Sequence, residues 1–194
     1  MIQSKKDYKN YLNADKIALG KKYNFPKIIG DEIWQFQRLM RKTEYYKNCS
    51  KNVIMKIYSK WLQYRYYKKR LKLGFSIPLN VFGPGLSIAH YGTIVVNGNA
   101  KIGKNCRIQE CTTIGATNGS KKAPVLGDNI FIGSGARIIG DISIANDIAI
   151  GANAMVNKNF EEPGITIAGV PAKKISDKNS HSNLNKLLEE YKLL

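Results

Sequence analysis

Aliphatic residues recur every six positions through the middle of the chain. Val96, Ile102, Ile108 and Ile114 form one run, and Leu126, Ile132, Ile138, Ile144, Ile150 and Val156 form a second in the same phase. Small or aliphatic residues stand four places after most of them, at Ala100, Cys106, Thr112, Ile130, Ala136, Ile142, Ile148 and Ala154. Glycine often follows directly, as in Ile102-Gly103, Leu126-Gly127, Ile132-Gly133 and Ile150-Gly151. A period of six fits neither an amphipathic helix nor an alternating strand, and self-similarity at a fixed period marks a solenoid. The pattern predicts a β-helix spanning Ile77 to Ile175. Each hexad makes one face of a three-sided coil and turns its aliphatic residue inward to stack on the next coil, because one coil cannot bury its own apolar face. Asn97-Gly98-Asn99 and Asp128-Asn129 supply corner residues that tolerate tight turns. An all-β sandwich would instead show irregular spacing of roughly 8 to 12 residues.

Ahead of the solenoid the period becomes helical. A short helix is expected over Asp7 to Leu19, and a second from Asp31, placed to cap it, with Ile33, Phe36, Met40 and Thr43 on one face. A third is expected from after Ser50 to Lys72, stopped by Gly74, with Val53, Ile54, Ile57, Tyr58, Trp61 and Leu62 as an apolar stripe. Core packing and subunit contact account for this stripe better than a ligand box. Lys68, Lys69, Arg70 and Lys72 suit the negative end of that helix. After Ile175 the tail is polar through Asn183, then is expected to form a short helix with Leu184, Leu187, Leu188 and Tyr191 docked on a neighbouring subunit. The chain thus reads as α+β: a basic helical domain (1–74), a β-helix of hexapeptide repeats (75–175) and a tail (176–194).

Charge separates the two halves. Residues 1–74 hold 19 Lys+Arg against 5 Asp+Glu, a balance of +14, whereas residues 75–194 hold 12 against 9, only +3. Such a basic surface is either a solvated helical face or a peripheral contact with an anionic membrane. Nucleic acid is set aside, since no binding motif accompanies the charge. The three cysteines form no CxxC pair and no metal-like spacing with histidine. With no apolar run near the ~20 residues of a membrane span, the expectation is a soluble, cytoplasmic protein that needs no metal.

His90 is one of two histidines, and His181 falls in the polar connector, where an exposed, non-catalytic role is expected. In the six-residue register His90 fills the slot of Val96 and Ile102, which would bury it; a slip in this first, irregular coil would turn it outward, where an imidazole can act as general base for a hydroxyl. Spacing leaves both open.

His90-Tyr91-Gly92-Thr93-Ile94-Val95-Val96, the hexad array, the loop before Ala123-Pro124 and the closing Ala168-Gly169-Val170-Pro171-Ala172 together resemble the serine acetyltransferase branch of the hexapeptide-repeat acyltransferases. The resemblance covers about a hundred residues. It implies a left-handed parallel β-helix in a homotrimer, with pairing into hexamers left open, active sites in grooves between subunits, and acetyl-CoA as co-substrate without a metal. It makes His90 the base, with backbone N–H groups of the adjoining coil as donors to the oxyanion. By position Ala116, Ser134 and Ala152 would line the pantetheine channel, with Gly135 and Gly151 allowing close approach and Lys173 and Lys174 near the nucleotide phosphates. The loop from Ala116 to Lys122, with Asn118 and Lys122 as substrate contacts, would project over the groove.

Two departures bear on the acceptor. Where those enzymes carry an aspartate that orients the histidine, this chain has Phe75, leaving Glu110, about one coil onward, as the candidate. Where they place an Arg-His pair before the loop proline, this chain reads Lys122-Ala123-Pro124; lysine lacks the two-pronged fork of arginine, and alanine offers no hydrogen bond. The stretch from Asn80 to His90 looks like acetyltransferases of surface-polysaccharide pathways. The expected acceptor is therefore a sugar hydroxyl of a surface glycan or its precursor, with serine as the alternative and a non-catalytic trimeric scaffold as a third reading.

Overall fold

The computed structural model describes residues 1–190. Three helices come first, α1 (Lys5–Ala18), α2 (Glu32–Cys49) and α3 (Val53–Leu73). Ser4 Oγ accepts the Asp7 N–H at 3.0 Å while the Asp7 carboxylate takes the Gln3 N–H at 3.0 Å, a reciprocal cap that starts α1 two residues before the expected Asp7. Asn52 caps α3 by accepting the Met55 N–H at 2.8 Å. Gly74 ends it with a left-handed φ of 75°. Asp31 departs from expectation. It stands at the head of α2 without a side-chain cap bond, because its carboxylate accepts from the Lys27 N–H at 3.1 Å and from the Lys21 ammonium instead.

On α2 Phe36, Met40 and Thr43 are buried and Ile33 packs partly against the core. The expected stripe on α3 is split: its Leu62 is buried and Tyr58 half-buried, but most of the rest is not. Ser59, Leu62 and Tyr66 turn inward, whereas Val53, Ile54, Ile57 and Trp61 are exposed. Both faces of this helix are apolar, and α2 fills only one of them.

The solenoid follows as fourteen short strands: β1 (Phe75–Ser76), β2 (Ser87–Ile88), β3 (Ile94–Val96), β4 (Lys101–Ile102), β5 (Arg107–Ile108), β6 (Thr113–Gly115), β7 (Val125–Leu126), β8 (Phe131–Ile132), β9 (Arg137–Ile139), β10 (Ser143–Ile144), β11 (Ala149–Ile150), β12 (Met155–Val156), β13 (Thr166–Ala168) and β14 (Lys173–Ser176). They form three parallel faces, β1-β3-β6-β9-β12, β4-β7-β10 and β2-β5-β8-β11-β13, with β14 turning back antiparallel on β13. The aliphatic ladder is the core: Ile108, Ile114, Ile132, Ile138, Ile150 and Val156 are fully buried.

The register shows where the coil is irregular. Leu126 faces Ile144, Ile132 faces Ile150 and Ile138 faces Val156, each eighteen residues on, which is three hexads. Ile88 faces Ile108 twenty residues on, so two extra residues lie between Ile88 and Val96. Ile102 faces Leu126 and Ile108 faces Ile132 twenty-four residues on, so six extra lie between Ile114 and Leu126. The first insertion holds His90; the second is the loop from Ala116 to Lys122.

The helices close the open end of the solenoid. Gln37 on α2 donates to the Leu86 carbonyl at 2.7 Å and accepts the Ile88 N–H at 3.2 Å, pairing with the exposed edge of β2 as a strand would. Tyr66 donates to the Ile77 carbonyl at 2.8 Å. Arg41, fully buried, binds Asp15 of α1 at 2.8 Å and Glu44 at 3.0 Å and reaches the carbonyls of Phe82 and Gly83 at 3.0 and 2.7 Å. Asp15 also accepts the Gly85 and Leu86 N–H groups, each at 2.9 Å, and Glu44 accepts that of Asn80 at 2.7 Å. Every charge in this cluster has a partner, which a buried ionic group requires.

The tail contradicts its expected subunit contact. Leu184 and Leu188 bury against Ile17 and Ala18 of α1 in the same chain, Leu188 within the short helix α4 (Leu187–Glu190). Tyr191 lies outside the described residues. His181 is half-buried rather than exposed, 2.8 Å from the Asp147 carboxylate.

Candidate active site

The three faces define three corners, and the site residues fall on two of them. The corner from the β2-β5-β8-β11 face to the β3-β6-β9-β12 face carries His90, Glu110, Ser134 with Gly135, and Ala152, one position per coil. The next corner, leading to the β4-β7-β10 face, carries Ala116, Asn118, Lys122 and Asp141. Within one chain Ala116 is therefore not in line with Ser134 and Ala152, the two positions that the resemblance grouped with it, because the six-residue insertion lies between them.

His90 is outside the barrel. It sits on the turn between β2 and β3, exposed, while Ile88 and Val96 take the inward slots. The two extra residues resolve the ambiguity in spacing: the inward position precedes His90 by two, and the lengthened turn carries the imidazole to the surface. His90 makes no hydrogen bond with a described residue of its own chain, so both ring nitrogens are open to a substrate.

Glu110 lies beneath that turn. A Cβ on Gly92 would stand 3.2 Å from the Glu110 Cβ, and Gly92 has a φ of 126°, so both contact and backbone require glycine there. Ser134 Oγ donates to Glu110 Oε1 at 2.6 Å, and the Ser134 N–H donates to Gln109 Oε1 at 2.9 Å. The Gly135 N–H donates to the Glu110 carbonyl at 3.0 Å. The other carboxylate oxygen, Oε2, is shielded from solvent and has no partner. The Ser134 hydroxyl, with the Glu110 backbone and then the nearby His90 charge, holds the Glu110 carboxyl below the ordinary range. A carboxylate ionised at neutrality within electrostatic reach of an imidazole can stabilise the imidazolium formed when the ring takes a proton.

Phe75 takes no part in this chemistry. It is buried in β1, edge-on to Phe36 with ring centroids 5.0 Å apart.

At the second corner the Lys122 ammonium is held by Asp141 at 2.8 Å, and both side chains are exposed. Asn118 takes a φ of 50° at the loop tip, and Ala123 is buried. Ala152 is exposed at the first corner, and Gly135 turns with a φ of 76°. Lys174 is bound by Glu162 and Asp177, each at 2.6 Å, which leaves Lys173 as the exposed cation of the terminal pair without an ion-pair partner among the described residues. No three His, Cys, Asp or Glu side chains among the described residues cluster as a metal ligand set.

Two features escaped the sequence reading. Arg137 donates to the carbonyls of Cys111 and Gly135, the latter at 2.8 Å, and ties two coils together at the first corner. Tyr91, next to His90, donates to Glu32 of α2 at 3.1 Å. A tyrosine adjoining the histidine was visible in the sequence; its partner, 59 positions away, was not.

The chain is similar to serine acetyltransferases. It is 34% identical over 126 residues to the serine acetyltransferase of Buchnera aphidicola subsp. Schizaphis graminum, a match covering 61% of this chain and 48% of that one. It is 36% identical over 109 residues to that of Mycobacterium tuberculosis, covering 55% and 47%. The chain spans about half the length of the curated relatives it matches. No family model matches the sequence. Among solved structures, serine acetyltransferase from Brucella abortus superposes with a TM-score of 0.67 at 22% identity, covering 91% of this chain and 72% of that one. The Neisseria gonorrhoeae enzyme gives 0.66 at 24%, covering 90% and 68%. The likeness fixes the fold as an N-terminal helical domain followed by a left-handed β-helix.

Proposed function

We propose that this chain is an acetyl-CoA-dependent O-acetyltransferase with His90 as general base, and that its acceptor is L-serine. The observation that carries the reading is His90 itself, an unpaired imidazole turned out of the coil by a two-residue insertion and set over Glu110. The imidazole removes the acceptor hydroxyl proton as the oxygen attacks the thioester carbonyl. The C–S bond breaks, the imidazolium returns the proton to the departing thiolate, and the products are the O-acetyl ester and coenzyme A. Glu110 stabilises the imidazolium between these transfers, and Ser134 holds Glu110.

Serine is supported by the relatives, which are named serine acetyltransferases at 31–36% identity, and by neighbouring structures from Brucella abortus with coenzyme A and from Neisseria gonorrhoeae with serine. These matches favour serine over the sugar acceptor expected from the motif at Asn80. A glycan hydroxyl keeps one specific support: Ala123 is buried and the Lys122 ammonium is already bound to Asp141, so neither residue before Pro124 is poised to clamp a carboxylate.

In one protomer the loop holding Asn118 lies a full face away from His90. A homotrimer would let that loop serve the histidine corner of a neighbour, and Lys173 is the residue left to meet nucleotide phosphates. Thiol release from acetyl-CoA with L-serine, compared with hexoses and N-acetylhexosamines, tests the acceptor: turnover with serine alone supports the primary reading, and turnover with a sugar alone replaces it.

A further inference from the structure

We propose that the helical domain docks on an anionic lipid bilayer through the loop between α1 and α2 and the basic groove beside it. The loop runs Lys21-Lys22-Tyr23-Asn24-Phe25-Pro26-Lys27-Ile28-Ile29-Gly30. It leaves Phe25, Ile28 and Ile29 75%, 92% and 83% exposed. Three large apolar side chains bared within five residues are not scattered surface hydrophobics but a contiguous tip. Lys21, Lys22 and Lys27 flank it.

The groove is about 670 Å³, and Tyr64, Arg65, Lys68, Lys69, Leu71 and Lys72 line it. Four cations and no acid are among them. Crowding is evident at Lys69, whose ammonium is held below its ordinary pKa by burial first and then by Lys72 and Arg65, against the opposing pull of Glu32. A bound anion would relieve that repulsion.

Gln35 joins the two features. Its amide donates to the Lys27 and Ile28 carbonyls at 2.7 and 2.9 Å, and its oxygen accepts from the Lys69 ammonium at 2.9 Å. The apolar tip is thereby fixed beside the cationic groove. A bilayer surface offers both partners, acyl chains for Phe25, Ile28 and Ile29 and headgroup phosphates for Lys68, Lys69 and Lys72. The +14 balance of residues 1–74 matches a negative surface, while the +3 of the remainder leaves the solenoid facing solvent. The docking edge also adjoins the candidate site, because Glu32, three residues past the end of the loop's apolar tip, holds Tyr91 next to His90. Docking there does not depend on which acceptor is used.

Sedimentation of the full chain with vesicles of phosphatidylglycerol and phosphatidylcholine in equal parts, beside pure phosphatidylcholine, tests this. The variants are the double substitution I28S/I29S and the double substitution K68A/K72A, both on exposed or groove positions outside the site, with assembly size followed by light scattering. Wild type is expected to pellet with the anionic vesicles and to be released by salt. Each lysine removed should weaken partitioning about fivefold, and I28S/I29S should weaken it at least tenfold with assembly size unchanged. Failure to pellet with anionic vesicles overturns the proposal. So does pelleting that I28S/I29S leaves undiminished, and so does a change of assembly size in I28S/I29S, which would place the tip against a second copy of the chain.

Discussion

Ser134 Oγ donates to Glu110 Oε1 at 2.6 Å, bridging two successive coils directly below the turn that carries His90. The bond fixes one carboxylate oxygen, while the other is shielded from solvent and has no hydrogen-bond partner among the described residues. Glu110→Gln keeps the shape and removes the charge. It is expected to lower kcat about tenfold with little change in KM for acetyl-CoA, whereas Ser134→Ala, which frees the carboxylate without neutralising it, should cost less. A kcat in Glu110→Gln equal to that of wild type would assign Glu110 a purely structural role.

Burial of Arg41 between Asp15 and Glu44 makes the joint between helices and solenoid sensitive to a single change. Arg41→Met leaves two carboxylates unpaired in the interior and is expected to cost about 3–5 kcal/mol in urea unfolding. Replacing Asp15 and Glu44 by apolar residues in the same chain removes the unpaired charge but leaves the Gly85, Leu86 and Asn80 N–H groups without acceptors, so only part of that loss should be recovered. Equal stability of Arg41→Met and wild type would show that the cluster carries no net stabilisation.

How much of this was legible in the sequence depends on range. The strict hexad from Leu126 to Val156 announced the coil, because each buried aliphatic repeats its neighbour's environment. His90 stood in false phase with Val96 and Ile102: the two-residue insertion that turns it outward changes spacing relative to Ile88, and Ile88 lies outside the regular run. The Arg41–Asp15 pair joins residues 26 apart on different helices, which no local pattern encodes. The apolar stripe of α3 was plain, but which part of it is buried was not, because Leu62 turns inward with Ser59 and Tyr66 at equally helical spacing while Val53, Ile54 and Ile57 stay exposed. Ser134 was placed at the site by position, yet its bond to Glu110 depends on the twenty-four-residue coil produced by the loop insertion.

That insertion yields a clean deletion. Removing Thr117 to Lys122 takes out six exposed residues and restores the three-hexad spacing between Ile102 and Leu126. Thermal unfolding is expected to shift little, since the removed backbone makes few bonds to the coil. Acceptor turnover is expected to fall about a hundredfold through misplacement of the acceptor, while coenzyme A binding by calorimetry persists. Loss of folding in the deletion would show that the loop is structural.

The cysteines report on coil integrity. Cys106 is fully buried and its thiol is pushed up to about 12 by burial, whereas Cys111 is exposed. Native protein should therefore leave Cys106 unmodified by iodoacetamide at neutral pH while denatured protein modifies all three cysteines, as counted by mass spectrometry. Labelling of Cys106 in the native state would show that the second coil opens.

The central claim rests on His90, and the most direct test is thiol release from acetyl-CoA by purified protein with L-serine, beside His90→Ala with its fold verified by circular dichroism. Serine-dependent release that falls about 10²–10⁴-fold in His90→Ala is the expected result for a general base. Release that survives intact in His90→Ala would contradict the assignment of the base and with it the mechanism drawn from this corner of the coil.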